Sequence, residues 1–169
     1  VQPPTPPVYT PVSYDNLSDH LTKTQPASDG IYYIEVTGLT ESDVKGDYDS
    51  ASPLGQILNS NRRKKVALKF GTMPNVTYMS SCFNGCTSLV QVPNIPNSVT
   101  DMRWCFFGCT SLTSVTLKCG YLDNNFDDAF SRCRSLSAGS IKVPADSLDD
   151  YKDNADKMGA KAEWFAKDE

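Results

Sequence analysis

The sequence predicts an α/β fold built as a short solenoid, in which similar coils stack side by side. The segment 76–89 returns at 99–112, a spacing of 23 residues, and a third, more diverged copy covers 126–136. Each copy ends in a leucine that is followed by a strand-like stretch. One copy alone cannot bury its apolar side, so the copies have to stack around a common core.

The chain opens with a proline-rich segment, residues 1–13, that contains five prolines. Proline fixes the backbone angle φ near about −65° and has no amide hydrogen to donate, which disfavours both helices and sheets. Such a run is typical of an extended, polyproline-like stretch. The composition therefore predicts a tether that precedes the folded part of the chain.

Residues 14–65 are predicted to form a capping region in front of the repeats. A short helix is expected within 14–23, and the β-branched and aromatic run at 31–36 indicates a strand. Pro53 suits the first turn of a further helix, and the apolar stretch 66–70 indicates the next strand. The resulting β-α-β unit should have parallel strands and can cover the first coil.

Residues 66–143 hold the repeats, and residues 144–169 are predicted to form a helical C-terminal cap. The 23-residue spacing falls within the length range of leucine-rich repeats, in which each unit has one strand and one helical or turn segment. After the last repeat, a helix is expected over about 146–158, with Gly159 as its stop. A later Trp-Phe pair is expected to fold back onto the core.

The repeat motif itself resembles a known family. The pattern Cys-Phe-x-Gly-Cys-Thr-Ser-Leu occurs at 82–89 and at 105–112, and Ser-Val-Thr-Leu follows at 114–117. This pattern is similar to the BspA-like, treponemal type of leucine-rich repeat, and the resemblance extends over roughly 64–165. It implies a surface or secreted protein of host-associated bacteria that adheres to host matrix proteins or to other cells.

The cysteines of the repeats fall into two columns of the predicted stack. Cys86, Cys109 and Cys133 are equivalent positions of the three copies; Cys82 and Cys105 form a second column, in which the third copy has alanine. Equivalent positions of adjacent coils lie roughly 5 Å apart. Three states remain open, namely buried reduced thiols, a disulfide within a column, or a four-cysteine zinc site. The columns favour reduced thiols, and we expect neither a metal nor another cofactor.

Composition and motifs disfavour several classes of function. The net charge is −4, and no block of lysine and arginine is large enough for a run of phosphates, which argues against a nucleic-acid partner. No apolar run approaches the ~20 residues of a membrane span, and a signal peptide or lipoprotein anchor would lie upstream of Val1. His20 is the only histidine, and no catalytic fingerprint is present, so we predict that the chain is not an enzyme.

Two surfaces are candidates for ligand binding. One is the outward face of the strands, where the expected side chains are small and polar. The other comes from columns in which Ser80, Ser81 and Asn84 of the first copy correspond to larger residues of the second; the polar first copy indicates that these columns face solvent. Packing beneath a cap is the alternative for this second set. The candidates are Gln91, Thr113, Ser114, Thr116 and Lys142 on the strand face, and Arg103, Trp104 and Phe107 in the variable columns.

These observations together predict a non-catalytic binding module on a bacterial cell surface or in a secreted protein. Its expected partner is a protein, such as a host extracellular-matrix or cell-surface protein or a protein of a neighbouring cell, which it recognises or adheres to. A scaffold or inhibitor of another bacterial surface protein is the first alternative. An enzyme with an unrecognised site is a less favoured one, because a lone histidine offers little acid-base chemistry.

Overall fold

The computed structural model describes residues 2–73 and 75–169 of the chain. Within these residues, seven strands form one sheet, and each strand pairs in parallel with its neighbours in chain order. The strands are β1 (Thr10–Ser13), β2 (Ile31–Thr37), β3 (Lys65–Phe70), β4 (Leu89–Ile95), β5 (Ser114–Leu117), β6 (Ile141–Val143) and β7 (Phe165–Lys167).

The helical segments lie between the strands and are short. A parallel pair needs a crossover that returns the chain to the start of the next strand, so each strand and its crossover make one coil. The predicted α/β repeat fold with a parallel sheet is thus confirmed. The α-helices are α1 (Leu17–Lys23), α2 (Pro53–Asn59) and α3 (Leu148–Asp153), and 3-10 turns cover Tyr14–Asn16, Glu41–Asp43, Ala145–Ser147, Ala155–Met158 and Ala162–Trp164.

A second backbone ladder joins the coils on the side opposite the sheet. The amide of Phe83 donates to the carbonyl of Cys105 at 2.8 Å, and the amide of Phe106 donates to the carbonyl of Ala129 at 2.8 Å. One coil further on, the amide of Phe130 donates to the carbonyl of Met158 at 2.9 Å. Each coil is therefore hydrogen-bonded to the next on both of its long sides, and we call the side opposite the sheet the turn side.

The core between these two ladders contains a row of phenylalanines from successive coils. The ring centroids of Phe83 and Phe106 are 5.5 Å apart, and those of Phe106 and Phe130 are also 5.5 Å apart. Phe70 of β3 and Phe165 of β7 extend the row at either end, each at 6.2 Å from its neighbour. All five side chains are buried, so the stack fixes the spacing of the coils from within.

The segment in front of the repeats contains β2, α2 and β3, and β2 pairs in parallel with β3. Pro53 is the first residue of α2, and the hydroxyl of Ser52 accepts a hydrogen bond from the Gly55 amide at 3.1 Å. This N-cap satisfies one of the free amides of the first helical turn. Gly55 is required because an added Cβ would overlap the carbonyl oxygen of Cys82 in the first repeat.

The proline-rich segment differs from the free tether that its composition predicts. Residues 2–13 are described, Val1 is not, and the last four of them form strand β1 on the edge of the sheet. Thr10 pairs with Ile34 and Ser13 with Thr37. Proline has no amide hydrogen. It is tolerated on an edge strand because the outer side of that strand has no neighbouring strand that would need a hydrogen bond from it.

The C-terminal segment is less helical than its apolar spacing predicts. The single helix expected over 146–158 is wrong, since α3 ends at Asp153 and a 3-10 turn follows at Ala155–Met158. Asn154, between them, has φ −111° and ψ 15°, which interrupts the α-helical path. Gly159 ends the turn in the left-handed conformation, with φ 67°. The chain then adds β7, a strand that the sequence did not predict.

Candidate functional site

The strand-face candidates lie on adjacent strands of the sheet. Gln91 of β4 pairs with Ser114 of β5, and Thr116 of β5 pairs with Lys142 of β6. Thr113 lies directly before β5, is exposed, and donates its hydroxyl to the Val90 carbonyl at 2.9 Å. These five residues therefore share one polar surface. The predicted alternation with buried residues holds in β5 and β6, whereas in β4 Val90 and Gln91 are both partly buried.

Two tyrosines that were not among the predicted residues, Tyr9 and Tyr33, also lie on this face. The Tyr9 hydroxyl accepts a hydrogen bond from the Gln91 side-chain amide at 3.1 Å. The Tyr9 ring meets Tyr33 edge-on at 5.5 Å, and the Lys69 ammonium lies 5.9 Å from its centroid. Burial raises the pKa of Tyr9 above its ordinary value. Alternation along β2 could have identified Tyr33, whereas no local signal indicates that Tyr9 packs across three strands.

The other candidate surface lies on the turn side, where Arg103, Trp104 and Phe107 belong to one turn of the second repeat. The Trp104 ring is partly buried and contacts the Tyr48 ring at 4.7 Å in an edge-to-face arrangement. Tyr48 comes from the turn 47–50 in front of the repeats, and it is 73 % exposed. Tyr48 is not among the residues predicted from the sequence, because this turn has no counterpart in the repeat motif.

Tyr48 and Trp104 meet across an intervening coil of small residues. The amide of Gly46 donates to the Ser80 carbonyl at 2.8 Å, so the turn that carries Tyr48 stacks on the first repeat. Ser81 of that repeat is only 1 % exposed. The expectation that this column faces solvent is therefore wrong at Ser81. Its side chain is small because the segment around Gly46 covers it.

Two arginines beside these aromatic residues, Arg103 and Arg132, each contact another residue of the chain. Arg103 forms a two-pronged ion pair with the buried Asp101, with Nη2 at 2.6 Å from Oδ2 and Nε at 3.1 Å from Oδ1. This carboxylate raises the pKa of Arg103. Arg132 of the third coil lies over the Phe107 ring at 5.2 Å from its centroid. The two predicted alternatives, an open patch and internal packing, thus each describe part of this surface.

A cleft of about 430 Å³ opens beside Tyr48, Trp104 and Phe107. Aromatic rings and amide and carboxylate groups line it together, which is the mixture that orients a ligand while excluding water from part of its surface. The aromatic residues come from two segments more than fifty positions apart, so the cleft exists only in the stacked fold. Its lining residues are Tyr48, Asp49, Asn84, Trp104 and Phe107.

All six cysteines are buried free thiols, which agrees with the favoured interpretation of the columns. The thiol of Cys86 donates to the Gly55 carbonyl at 3.4 Å, that of Cys109 to the Phe83 carbonyl at 3.0 Å, and that of Cys133 to the Phe106 carbonyl at 3.1 Å. Each thiol therefore bonds to the coil before its own.

The same burial disfavours the charged form of these thiols. Desolvation raises the pKa of Cys86 and of Cys133 to about 12, so both are protonated at neutral pH. In the two described ranges, no group of three or more His, Cys, Asp or Glu residues could hold a metal ion. The same ranges contain no helix long and apolar enough to cross a membrane.

Comparison with known protein families identifies the repeat region. A family model for the BspA type leucine rich repeat region matches residues 64–155 in six copies, which is more than half of the chain. Comparisons with curated proteins and with solved structures gave no significant match. The matched segment includes β3 to β6, the cysteine columns and the turns that carry Trp104 and Phe107.

Proposed function

The chain belongs to the BspA-type leucine-rich-repeat family, and from this membership we propose that it is an adhesion or recognition module for a host protein or a protein of a neighbouring cell. Repeats of this type are in general non-catalytic protein-interaction modules, typically of bacterial surface or secreted proteins. The proposal adds to this a location for the contact, namely the turn-side cleft around Trp104.

The observation that carries the proposal is the cluster of aromatic side chains at this cleft. Tyr48 is largely exposed, and Trp104 and Phe107 are partly exposed beside it. The few residues that dominate the binding free energy at protein interfaces are enriched in tryptophan, tyrosine and arginine, and the two aromatic residues bury a large area at a low cost in conformational entropy. The cleft is also partly preformed, since Trp104 is held against Tyr48 before any partner arrives.

The strand face supports a secondary role in the same interaction. Its candidates, Gln91, Thr113, Ser114, Thr116 and Lys142, offer hydrogen-bonding groups with little apolar area. On this face, the Gln91 side-chain amide already donates a hydrogen bond to the Tyr9 hydroxyl. We therefore propose that the strand face contributes specificity at the margin of the contact and that the cleft contributes most of the affinity.

The test is direct binding of the purified chain to a panel of extracellular-matrix and host-surface proteins by biolayer interferometry. The decisive variant replaces Trp104→Ser and Phe107→Asn, the residues found at the same positions of the first repeat. Ser81 has φ 54° and Trp104 has φ 53°, so serine is known to adopt this backbone conformation. We expect saturable binding to one panel member and at least roughly a tenfold loss in the variant, since hot-spot residues contribute about 2 kcal/mol or more.

A matched strand-face variant, Thr116→Ala with Lys142→Ala, serves as the control. It removes one partly buried and one exposed polar group from the other long side and is expected to change the affinity by less than about threefold. A strand-face variant that loses binding while the cleft variant retains it would contradict the proposed location. Absence of binding to every host protein, together with capture of a surface protein from the source bacterium, would replace host adhesion by a scaffold or inhibitor role.

A further inference from the structure

The turn-side cleft has a chemical character that indicates what kind of group enters it. Its wall combines the rings of Tyr48 and Trp104 with the carboxylate of Asp49. Aromatic faces carry partial negative charge and attract cations, and an adjacent carboxylate strengthens this attraction. The same carboxylate repels an anionic group, so phosphate, sulfate or an acidic side chain is disfavoured here.

The chain itself uses aromatic rings to hold cations near this site. Arg132 lies over the Phe107 ring, and Lys45 lies over the Tyr78 ring with its ammonium 5.2 Å from the centroid. Among the described residues, no lysine or arginine lies over the ring of Tyr48 or of Trp104. The Tyr48–Trp104 end of the cleft is therefore the end whose rings are free of an internal cation.

The turn 47–50, which carries Tyr48, also carries the carboxylates of Asp47 and Asp49. The segment 41–50 in front of the repeats contains four carboxylates, and its one lysine is the residue that lies over Tyr78. Arg103, on the other side, is neutralised by its ion pair with Asp101. These carboxylates favour a basic segment of a partner at the Tyr48 end, whereas Arg132 places a positive charge at the Phe107 end.

We infer that the Tyr48–Trp104 end of the cleft accepts the cationic side chain of a lysine or arginine from a basic segment of a protein partner. The cation lies against the two rings, and Asp49 supplies the opposing charge. The inference rests on the proposed function, since it names the part of the partner that the proposed binding site recognises. Phe107, whose ring is occupied by Arg132, packs against the aliphatic part of the entering side chain or its neighbour.

The test uses the two tryptophans as separate reporters in ¹⁵N-labelled protein. Trp104 lines the cleft, whereas Trp164 is 8 % exposed and distant from it in the last coil, so their indole N–H signals distinguish local binding from a general effect. The Trp104→Ser variant assigns the two signals. The probes are N-acetyl-arginine methylamide and N-acetyl-lysine methylamide, with the citrulline and norleucine analogues as uncharged controls of matched shape and N-acetyl-glutamate methylamide as the anion.

We expect the arginine and lysine probes to shift the Trp104 signal and the other three probes to leave it in place. Asp49→Asn should weaken the shift about two- to fivefold, as expected for a charge contribution at a partly exposed site. The matched control is Asp146→Asn, which removes an exposed carboxylate in the turn before α3 and should have no effect.

The outcomes separate this inference from the proposed function. Equal shifts with lysine and norleucine, or no shift with any probe up to its solubility limit, overturn the cation inference. If the Trp104→Ser, Phe107→Asn variant still loses binding to a panel protein, the proposed function survives that result. A Trp104 shift with the cationic probes, combined with no effect of the double variant on protein binding, supports a cation site and contradicts the proposed location of the partner.

Discussion

The inner and outer columns of this solenoid follow opposite rules. In one inner column, Phe83, Phe106 and Phe130 repeat the same residue, and each ring contacts the next at 5.5 Å. In the outer column, Ser81 of the first coil corresponds to Trp104 of the second. A residue that touches its own equivalents in both neighbouring coils is constrained by them, because interiors are closely packed. In the outer column the side chain differs from coil to coil: Ser81 is covered by the segment around Gly46, whereas Trp104 is partly exposed and can take part in a binding site.

The backbone conformation stays the same along an outer column, although the side chains differ. Ser81, Trp104 and Asp128 occupy one outer column with three unrelated side chains, and their φ angles are 54°, 53° and 55°. The left-handed conformation is unfavourable for residues other than glycine, so each coil is held in it by its surroundings. The amide of Trp104 donates to the Asp127 carbonyl of the next coil at 3.0 Å. The turn-side ladder therefore fixes the backbone and leaves the side chain free to vary.

Alkaline pH is expected to lower the free energy of unfolding most, since it acts on all the inner thiols at once. Burial raises the pKa of every cysteine above its ordinary 9.0, and for Cys86 and Cys133 to about 12. Above about pH 9 the unfolded chain releases thiol protons that the folded chain keeps. The free energy of unfolding then falls by about 1.4 kcal/mol per thiol and pH unit.

We therefore expect a urea midpoint that is level from about pH 7 to pH 8 and collapses above about pH 10, where the summed loss approaches the whole stability of a small domain. Circular dichroism at a series of pH values measures it. The Cys86→Ala variant should show a shallower fall. A midpoint that stays level through this range would contradict the burial of the thiols.

Removal of an inner ring should have the next largest effect. The Phe106→Ala substitution leaves a cavity at the centre of the phenylalanine row, where both neighbours at 5.5 Å lose their contact. We expect a loss of about 3–5 kcal/mol in the free energy of unfolding, measured by urea denaturation. A loss below about 1 kcal/mol would mean that the row does not contribute to the stacking of the coils.

Loss of one inner thiol should cost less. Cys109→Ala removes a small apolar atom and the hydrogen bond to the Phe83 carbonyl, and we expect a loss of about 1–2 kcal/mol. Cys105→Ala is the matched control, because the third coil has Ala129 at the equivalent position. The same denaturation series ranks the two variants, and a larger loss for Cys105→Ala would contradict the role of the thiol hydrogen bond.

The smallest effect on stability is expected at Phe107, the residue that follows Phe106 in the chain. Phe107→Asn changes an outer residue to the one found in the first coil and removes its contact with Arg132. We expect the free energy of unfolding to change by less than about 1 kcal/mol. Thermal denaturation of Phe106→Ala and Phe107→Asn side by side tests the contrast, and similar losses for the two would remove the distinction between inner and outer columns.

The repeating part of the fold could be predicted from the sequence because each column is determined by contacts between equivalent residues. Strands β4 and β5 and the columns of Cys86, Cys109 and Cys133 follow from the repeat, in which equivalent cysteines are 23 and then 24 residues apart. The non-repeating ends could not be predicted in the same way. β7 has only three residues and forms because β6 offers it an edge, and α3 ends early at a single asparagine.

The candidate site was predictable to the same extent. The substitution of Ser81 by Trp104 between copies identified the turn-side surface, but not the residue that completes it. Tyr48 lies in a turn outside the repeats and reaches Trp104 only after the coils have stacked. Tyr9 crosses the strand face for a similar reason, through contacts with residues from β2 to β4. Such long-range contacts leave no periodic signal in the sequence.

Strand β1 has a consequence for how this chain behaves at high concentration. A parallel sheet with an open edge is a template onto which another copy can add its own strand, and a stack of coils could grow end to end in this way. Pro11 in β1 has no amide hydrogen to donate to an incoming strand, and residues 2–8 beside it are exposed. Pro11 thus removes one backbone donor from this edge of the sheet, which disfavours the addition of a further strand there.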